Sequence, residues 1–310
     1  MKVVFPTEKF QFSGHETFPL RQMWLPKAYR KAGDSGWDND LFTSDRAIAI
    51  FGVGKNMVAA IRHWALACDV LVERDRALEG GEIGKFLLEP RGYDPYLENT
   101  SSLWLLHWIL CGRGRRSTTW AWLFSFLERE EFDRDFALSS LATWVEERGE
   151  KVKITTLKRD LETCLKTYLP RASSDSKEEA AEPILSDLGI IRQSLSGRSF
   201  TFDRGDKPQL TNEVFAFAVC DFWERNPSAN SNLATLSFSA ITTARGSPGR
   251  VFKLRENAVA DRLAALDDLT GGKLRWVDSG GIKSIALKAG ESLADLKLKV
   301  LPSAYTGKSK

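Results

Sequence analysis

Two neighbouring stretches of the chain are apolar nearly all round, Leu103, Trp104, Leu106, Trp108 and Ile109, and then Trp120, Leu123, Phe124 and Leu127. A helical region without a polar face must be enclosed on every side, either by lipid or by the rest of a domain. The longest apolar run reaches only from Leu103 to Cys111 and is interrupted by His107. A bilayer span needs roughly 20 apolar residues. The segment therefore predicts the centre of a soluble protein that makes no contact with a membrane. One hydrophobic core rarely grows beyond about 250–300 residues, so a chain of 310 suggests two or three compact units.

Met1-Lys2-Val3-Val4-Phe5 meets Pro6 before a secretory apolar region can form. The four cysteines, Cys68, Cys111, Cys164 and Cys220, are widely separated and include no CxxC pair. That pattern excludes a zinc ribbon and favours buried thiols in a reducing cytoplasm. Lys plus Arg (44) against Asp plus Glu (41) leaves a net charge of +3, so nucleic-acid binding has to come from local patches.

A short helix, a tight turn, a longer amphipathic helix and Gly-punctuated hairpin material occur in that order three times. The expectation is a mainly α protein with small β-hairpins, an α+β fold of tandem winged helix-turn-helix-like units. The units are expected at 1–100, at 101–205 with a mobile linker near 171–182, and at 206–310 with a basic tail that is partly disordered. In the first, Thr43 or Ser44 caps a helix through Ile50, Phe51-Gly52-Val53-Gly54 turns, and Met57, Ile61, Trp64, Cys68 and Leu71 mark the stripe of a second helix. Gly80-Gly81 suits a wing. In the second, a helix near Phe136–Glu147 ends at Gly149, and Thr155 or Thr156 caps a helix with the stripe Leu157, Leu161, Leu165, Tyr168. A hairpin is expected around Ser196-Gly197. In the third, Leu210–Trp223 and Leu233–Thr243 read as helices, the stripe of Val259, Leu263, Leu266 and Leu269 as another, and Leu274–Leu287 as a hairpin.

Several chemical signatures fail on inspection. Gly52-Val53-Gly54-Lys55-Asn56 lacks the first glycine and the hydroxyl of a phosphate loop, since Ala49 and Asn56 occupy those positions. His15-Glu16 opens like a zincin, but Pro19 stands where the second histidine belongs. His107, inside the Trp-rich segment, reads as a satisfied core histidine, whereas His63 is placed toward solvent or DNA. Glu82-Ile83-Gly84-Lys85 has one residue too many for a nuclease E-x-K pair. Asp160 and Glu162 follow basic residues and read as a solvated face. No tightly bound cofactor is expected.

The basic positions make DNA the leading partner. Lys55, Asn56 and Arg62 project from the first long helix and suit phosphates or base edges. Arg113, Arg115 and Arg116 form a glycine-spaced loop. Lys158 and Arg159 open the second long helix, and Arg250 and Lys253 lie in a stretch from 245 to 255 with no negative charge.

Phe12-Ser13-Gly14-His15-Glu16-Thr17-Phe18-Pro19-Leu20-Arg21, Trp24-Leu25-Pro26-Lys27 and Val53-Gly54-Lys55-Asn56-Met57-Val58 resemble blocks of a bacterial family. So do Tyr93-Asp94-Pro95-Tyr96-Leu97, Thr156-Leu157-Lys158-Arg159-Asp160 and Ser247-Pro248-Gly249-Arg250-Val251-Phe252. The family is that of the domain-of-unknown-function proteins encoded beside enzymes similar to phosphoadenosine-phosphosulfate reductase. It includes the SspB type of the DNA phosphorothioation defence clusters. The resemblance implies a role in replacing a non-bridging phosphate oxygen by sulfur, nicking of one strand to open access, and sulfur-transfer and ATPase components as partners. It carries over no catalytic residues.

For a nicking site, chemical economy points to His15 as a proton carrier near neutral pH, Glu16 to orient it or bind a divalent cation (Mg or Mn), and Arg21 to neutralise the transition state. The alternative is that this block is a folded clasp. Two further readings compete: a non-catalytic DNA-binding scaffold or transcription regulator, and an enzyme acting on an adenylylated sulfur intermediate. The last lacks a nucleotide loop.

Overall fold

The computed structural model describes residues 10–75, 77–170, 183–226 and 235–306. The chain begins with α1 (Trp24–Asp34), a 3-10 turn (Asn39–Phe42), α2 (Ala47–Phe51), α3 (Lys55–Ala67), the hairpin β1 (Leu71–Arg74) and β2 (Ala77–Gly80), and α4 (Glu82–Leu88). Then come α5 (Thr100–Trp108), extended by a π-helical turn (Ile109–Arg113), and α6 (Thr118–Ser125). They lead into β3 (Glu131–Asp133), α7 (Arg134–Glu146), α8 (Ile154–Tyr168), β4 (Ile191–Gln193) and β5 (Ser199–Phe202). The last third holds α9 (Asn212–Glu224), β6 (Thr235–Ser237), α10 (Phe238–Thr243), α11 (Pro248–Val251), α12 (Glu256–Ala264) and α13 (Leu266–Thr270). It closes with β7 (Leu274–Ser279), β8 (Ile282–Leu287) and α14 (Leu293–Val300). The fold is α+β, mainly helical with small antiparallel sheets.

The two three-stranded sheets share a topology. Their strand orders are β3-β5-β4 and β6-β8-β7, so in each the strand preceding the helices pairs with the last strand of the hairpin that follows them. Phe132 pairs with Phe200 in the first and Leu236 with Ile285 in the second, which places apolar side chains on the inner faces. Both leading strands are only three residues long, too short to show periodicity in sequence. The helix expected over Leu233–Thr243 is shortened for this reason: Leu236 is drawn into the sheet, and Ser237 caps α10 by accepting from the Ala240 N–H.

At the centre lies the apolar segment. Every residue from Ser101 to Trp108 is buried, as are Trp120, Trp122 and Phe124 of α6. Burying each such large side chain contributes about 1.5–3 kcal/mol before entropy is subtracted. His107 is satisfied within this core, its Nδ1 2.8 Å from the Tyr168 hydroxyl and its Nε2 3.0 Å from the Val251 carbonyl. All four cysteines are free and buried. Among the described residues no helix is long and apolar enough to cross a membrane.

The C-terminal segment differs from the expected disordered tail. α14 packs on α9 through Leu296 and Val300, and Lys297 reaches Glu224 at 2.8 Å and Asp221 at 3.3 Å. Lys297 is thereby held between the buried Asp221 and the exposed Glu224, while Lys299 faces outward. Residues 307–310 and the linker expected at 171–182 lie outside the described residues.

Candidate functional site

α8 has two chemically different sides. It starts at Ile154, ahead of the expected threonine caps, and the N-cap residue Lys153 makes no side-chain cap. Leu157, Leu161, Cys164, Leu165 and Tyr168 are buried, which turns Lys158, Arg159 and Lys166 outward. Glu162 shares that outer side but is engaged by Arg134, whose Nε donates to Glu162 Oε1 at 3.0 Å. The same guanidinium donates through Nη1 to the Gly197 carbonyl at 3.1 Å, in the β4–β5 turn. Arg134 thus compensates the acidic residue of the helix face and fastens that face to a hairpin tip. The tip exposes Leu195 and Arg198. A cationic helix face beside an exposed hairpin can follow a phosphodiester backbone.

The inner side of α8 carries Asp160, which is buried rather than solvated, because it stands one turn from Leu157 and Cys164 on the core stripe. His15 Nε2 lies 2.6 Å from Asp160 Oδ1, and His15 Nδ1 accepts from the Thr17 N–H at 3.0 Å. An Nδ1 that accepts leaves the proton on Nε2, so His15 donates to Asp160. Asp160 Oδ2 and His63 Nε2 are buried without hydrogen-bond partners. His63 is buried rather than turned to solvent. Its ring is 5.6 Å from that of His15, and burial, with His15 and Arg116 nearby, pushes its pKa down to about 3. Gly14 makes this possible: its φ is +109°, and a Cβ there would lie 2.7 Å from His63 Nδ1.

The other residues singled out by sequence are dispersed. Glu16 is exposed with φ +49°, and Arg21 lies over the Trp24 ring at 5.0 Å, so the block is not gathered around the imidazole of His15. Lys55 and Asn56 are exposed at the start of α3. Arg62 and Arg116 converge on the two oxygens of Glu73 in β1. Arg250 is half-buried, with Nη1 3.4 Å from the Thr243 carbonyl. Lys253 is buried, donates to the Phe124 carbonyl at 2.9 Å and lies 3.8 Å above the Phe202 ring; burial, with Arg250 and Arg204 nearby, pushes its pKa down to about 7.

Arg113 departs furthest from the exposed loop its sequence suggested. Its guanidinium is buried against Asp221, Asp69 and Glu82, each at 2.8 Å. The π-helical turn and the packing of Gly112 against the Trp108 ring direct it inward. Asp221 also takes the Trp108 indole N–H, Arg225 and Lys297. The charged groups of this cluster line a polar cavity of about 490 Å³, which Arg115 also lines. Among the described residues no group of three or more His, Cys, Asp or Glu is arranged to hold a metal ion.

Sequence reasoning missed Arg134 and the inward role of Asp160. The second was readable, since Asp160 falls three residues after Leu157 and four before Cys164. Arg134 carried no signal, because its partners lie on two other elements.

The chain belongs to the family of proteins of unknown function DUF4007, whose model matches residues 12–305. Two crystal structures of SspB, one of them magnesium ion-bound, are similar to it. Each is 27% identical, covers 96% of this chain and 88% of its own, and has a TM-score of 0.83. This likeness agrees with the resemblance to SspB-type proteins. No curated protein matches the sequence.

Proposed function

We propose that the chain is the DNA-binding component of a bacterial DNA phosphorothioation system that defends against phage. It would act in the cytoplasm beside sulfur-transfer and ATPase components. The observation that carries this reading is the Arg134 bridge, which joins the cationic face of α8 to the β4–β5 tip with Glu162 compensated. The SspB likeness over 96% of the chain supports the system, and the α8 surface supports the ligand.

In this reading the units over 1–100, 101–205 and 206–310 are winged helix-turn-helix modules. The common order of the two three-stranded sheets supports that reading for the second and third. Their roles differ. α12 exposes Glu256 and Asp261, and its Arg262 is spent on the Leu210, Asp206 and Lys207 carbonyls. The second module is therefore the main DNA contact, with Lys158, Arg159 and Arg198 on phosphates, and Lys55 and Asn56 extend the footprint.

Nicking of one strand, with magnesium or manganese, is the further step of this reading. A binding role without nicking is favoured by one observation: His15, the imidazole of the N-terminal block, is buried against Asp160. Purified protein incubated with supercoiled plasmid and either cation separates the two. Open-circular product that disappears in His15→Asn or Glu16→Gln, with melting unchanged, establishes a nickase centred on that block. Duplex binding without any open-circular product establishes the scaffold. Failure to bind duplex DNA at low salt removes the reading altogether.

A further inference from the structure

Between α1 and the segment after α4 lies a recess of about 540 Å³ walled by Tyr29, Trp37 and Tyr96, with Arg30, Asp34 and Glu89 also lining it. We infer that it binds an unstacked nucleobase, with guanine as the preferred base.

The walls are preformed. Tyr29 is tucked inward because β2 and α4 present Gly80 and Gly84 to it: a Cβ on Gly84 would lie 2.8 Å from the ring, and one on Gly80 2.9 Å from the hydroxyl. Its hydroxyl points to Glu89 Oε1 at 3.4 Å, and its ring meets that of Trp37 edge to face at 5.4 Å. Trp37 has φ +64°, a left-handed conformation that is costly for a bulky side chain. It is fixed there by its N–H to the Ala32 carbonyl at 2.7 Å and by its carbonyl, which accepts from Leu78 at 3.0 Å. On the opposite wall Gln22 donates to the Tyr96 carbonyl at 3.0 Å. The Asp94 carboxylate holds the same segment by accepting from the Glu98 and Asn99 N–H groups and the Ser102 hydroxyl. Tyr96 nevertheless remains 58% exposed. Trp37 also packs against the core, but Tyr96, pinned through its own segment and left exposed beside the recess, is not held there by core packing.

The chemistry of the walls selects the occupant. Recesses of this size take small aromatic ligands, and aromatic side chains stack on any base. The Glu89 and Asp34 carboxylates are pure acceptors, so they suit an edge with adjacent N–H donors, as guanine offers. Arg30 supplies a cation for the attached phosphate. The inference rests on the DNA-binding reading only for the source of the base, an unpaired or extruded nucleotide; the recess would accept a free nucleotide as well.

Calorimetric titration of the full chain with guanosine and adenosine 5′-monophosphates tests it. Saturable binding that prefers guanosine is expected. Tyr96→Ala should weaken it about tenfold or more, Glu89→Gln should abolish the preference, and Lys158→Ala/Arg159→Ala should change neither. A single-stranded oligonucleotide carrying an internal 6-methylisoxanthopterin, a fluorescent guanine analogue that keeps the adjacent N–H donors, identifies the source. Quenching by the wild type but not by Tyr96→Ala supports an unpaired DNA base, and guanosine monophosphate binding without quenching overturns DNA as the source. Absence of nucleotide binding, or binding unaltered by both Tyr96→Ala and Glu89→Gln, overturns the site itself. Loss of duplex binding in Lys158→Ala/Arg159→Ala leaves this result independent.

Discussion

His15 Nε2 lies 2.6 Å from Asp160 Oδ1, with side chains only 4% and 2% exposed, so an N-terminal loop is bonded to the inner side of the helix whose outer side carries Lys158 and Arg159. Placement of the cationic face therefore depends on a histidine far away in sequence.

His15→Ala removes the partner of a buried carboxylate whose other oxygen already has none. Breaking a buried pair from one side typically costs about 3–5 kcal/mol, and urea unfolding should show a loss of that order. His15→Ala combined with Asp160→Leu should lose clearly less than the sum of the single losses. Additive losses would mean the two side chains are not energetically coupled.

The Arg113 cluster sets a pH dependence. Burial pushes the Asp221 carboxyl up, but Arg113, Arg225 and Lys297 outweigh it and hold its pKa well below the usual carboxylate range. A carboxyl depressed on folding adds stability above its unfolded value of about 4, and that stability is lost as pH falls through the folded value. Asp69 is raised by burial against the pull of Arg113 and offsets part of this. Arg113→Met should move the acid-unfolding midpoint to higher pH and destabilise the protein by about 3–5 kcal/mol at neutral pH. An unmoved midpoint would show that the cluster contributes nothing to acid resistance.

Lys253 acts in the opposite range. Its pKa of about 7 lies below the unfolded value near 10.4, so the unfolded chain holds the extra proton between those values. The contribution of this group to stability therefore rises with pH across that window. Lys253→Met should raise the melting temperature at pH 6 to 7 and flatten its rise toward pH 10. A variant with the slope of the wild type would mean that Lys253 is charged when folded.

Much of the helical order was legible because the stripes at Leu157–Tyr168 and in α3 repeat at helical spacing, and the α5–α6 segment is too apolar to lie anywhere but inside. The strands β3 and β6 were not legible: three residues each, they are defined by partners distant in sequence. The basic residues show the same limit. Lys158 and Arg159 could be assigned an outward face from the stripe beside them. Arg113 and Lys253 could not, since their surroundings come from the turn after α3 and from α4, α6 and α9. Charge in sequence is a guide to exposure only where periodicity fixes the face. Lys297 makes the point from the other side, as a lysine of an apparently solvated tail that completes a buried cluster.

The most direct test of DNA binding by α8 is the salt dependence of affinity for a short fluorescent duplex, measured by anisotropy for the wild type and for Lys158→Ala/Arg159→Ala. Each phosphate contact contributes about −0.9 to the slope of log affinity against log salt. If both residues lie on phosphates, the double variant should bind more weakly at every salt concentration, with a slope shallower by about 1.8 and unchanged circular dichroism and melting. A double variant with wild-type affinity and slope would contradict the assignment of this face to DNA.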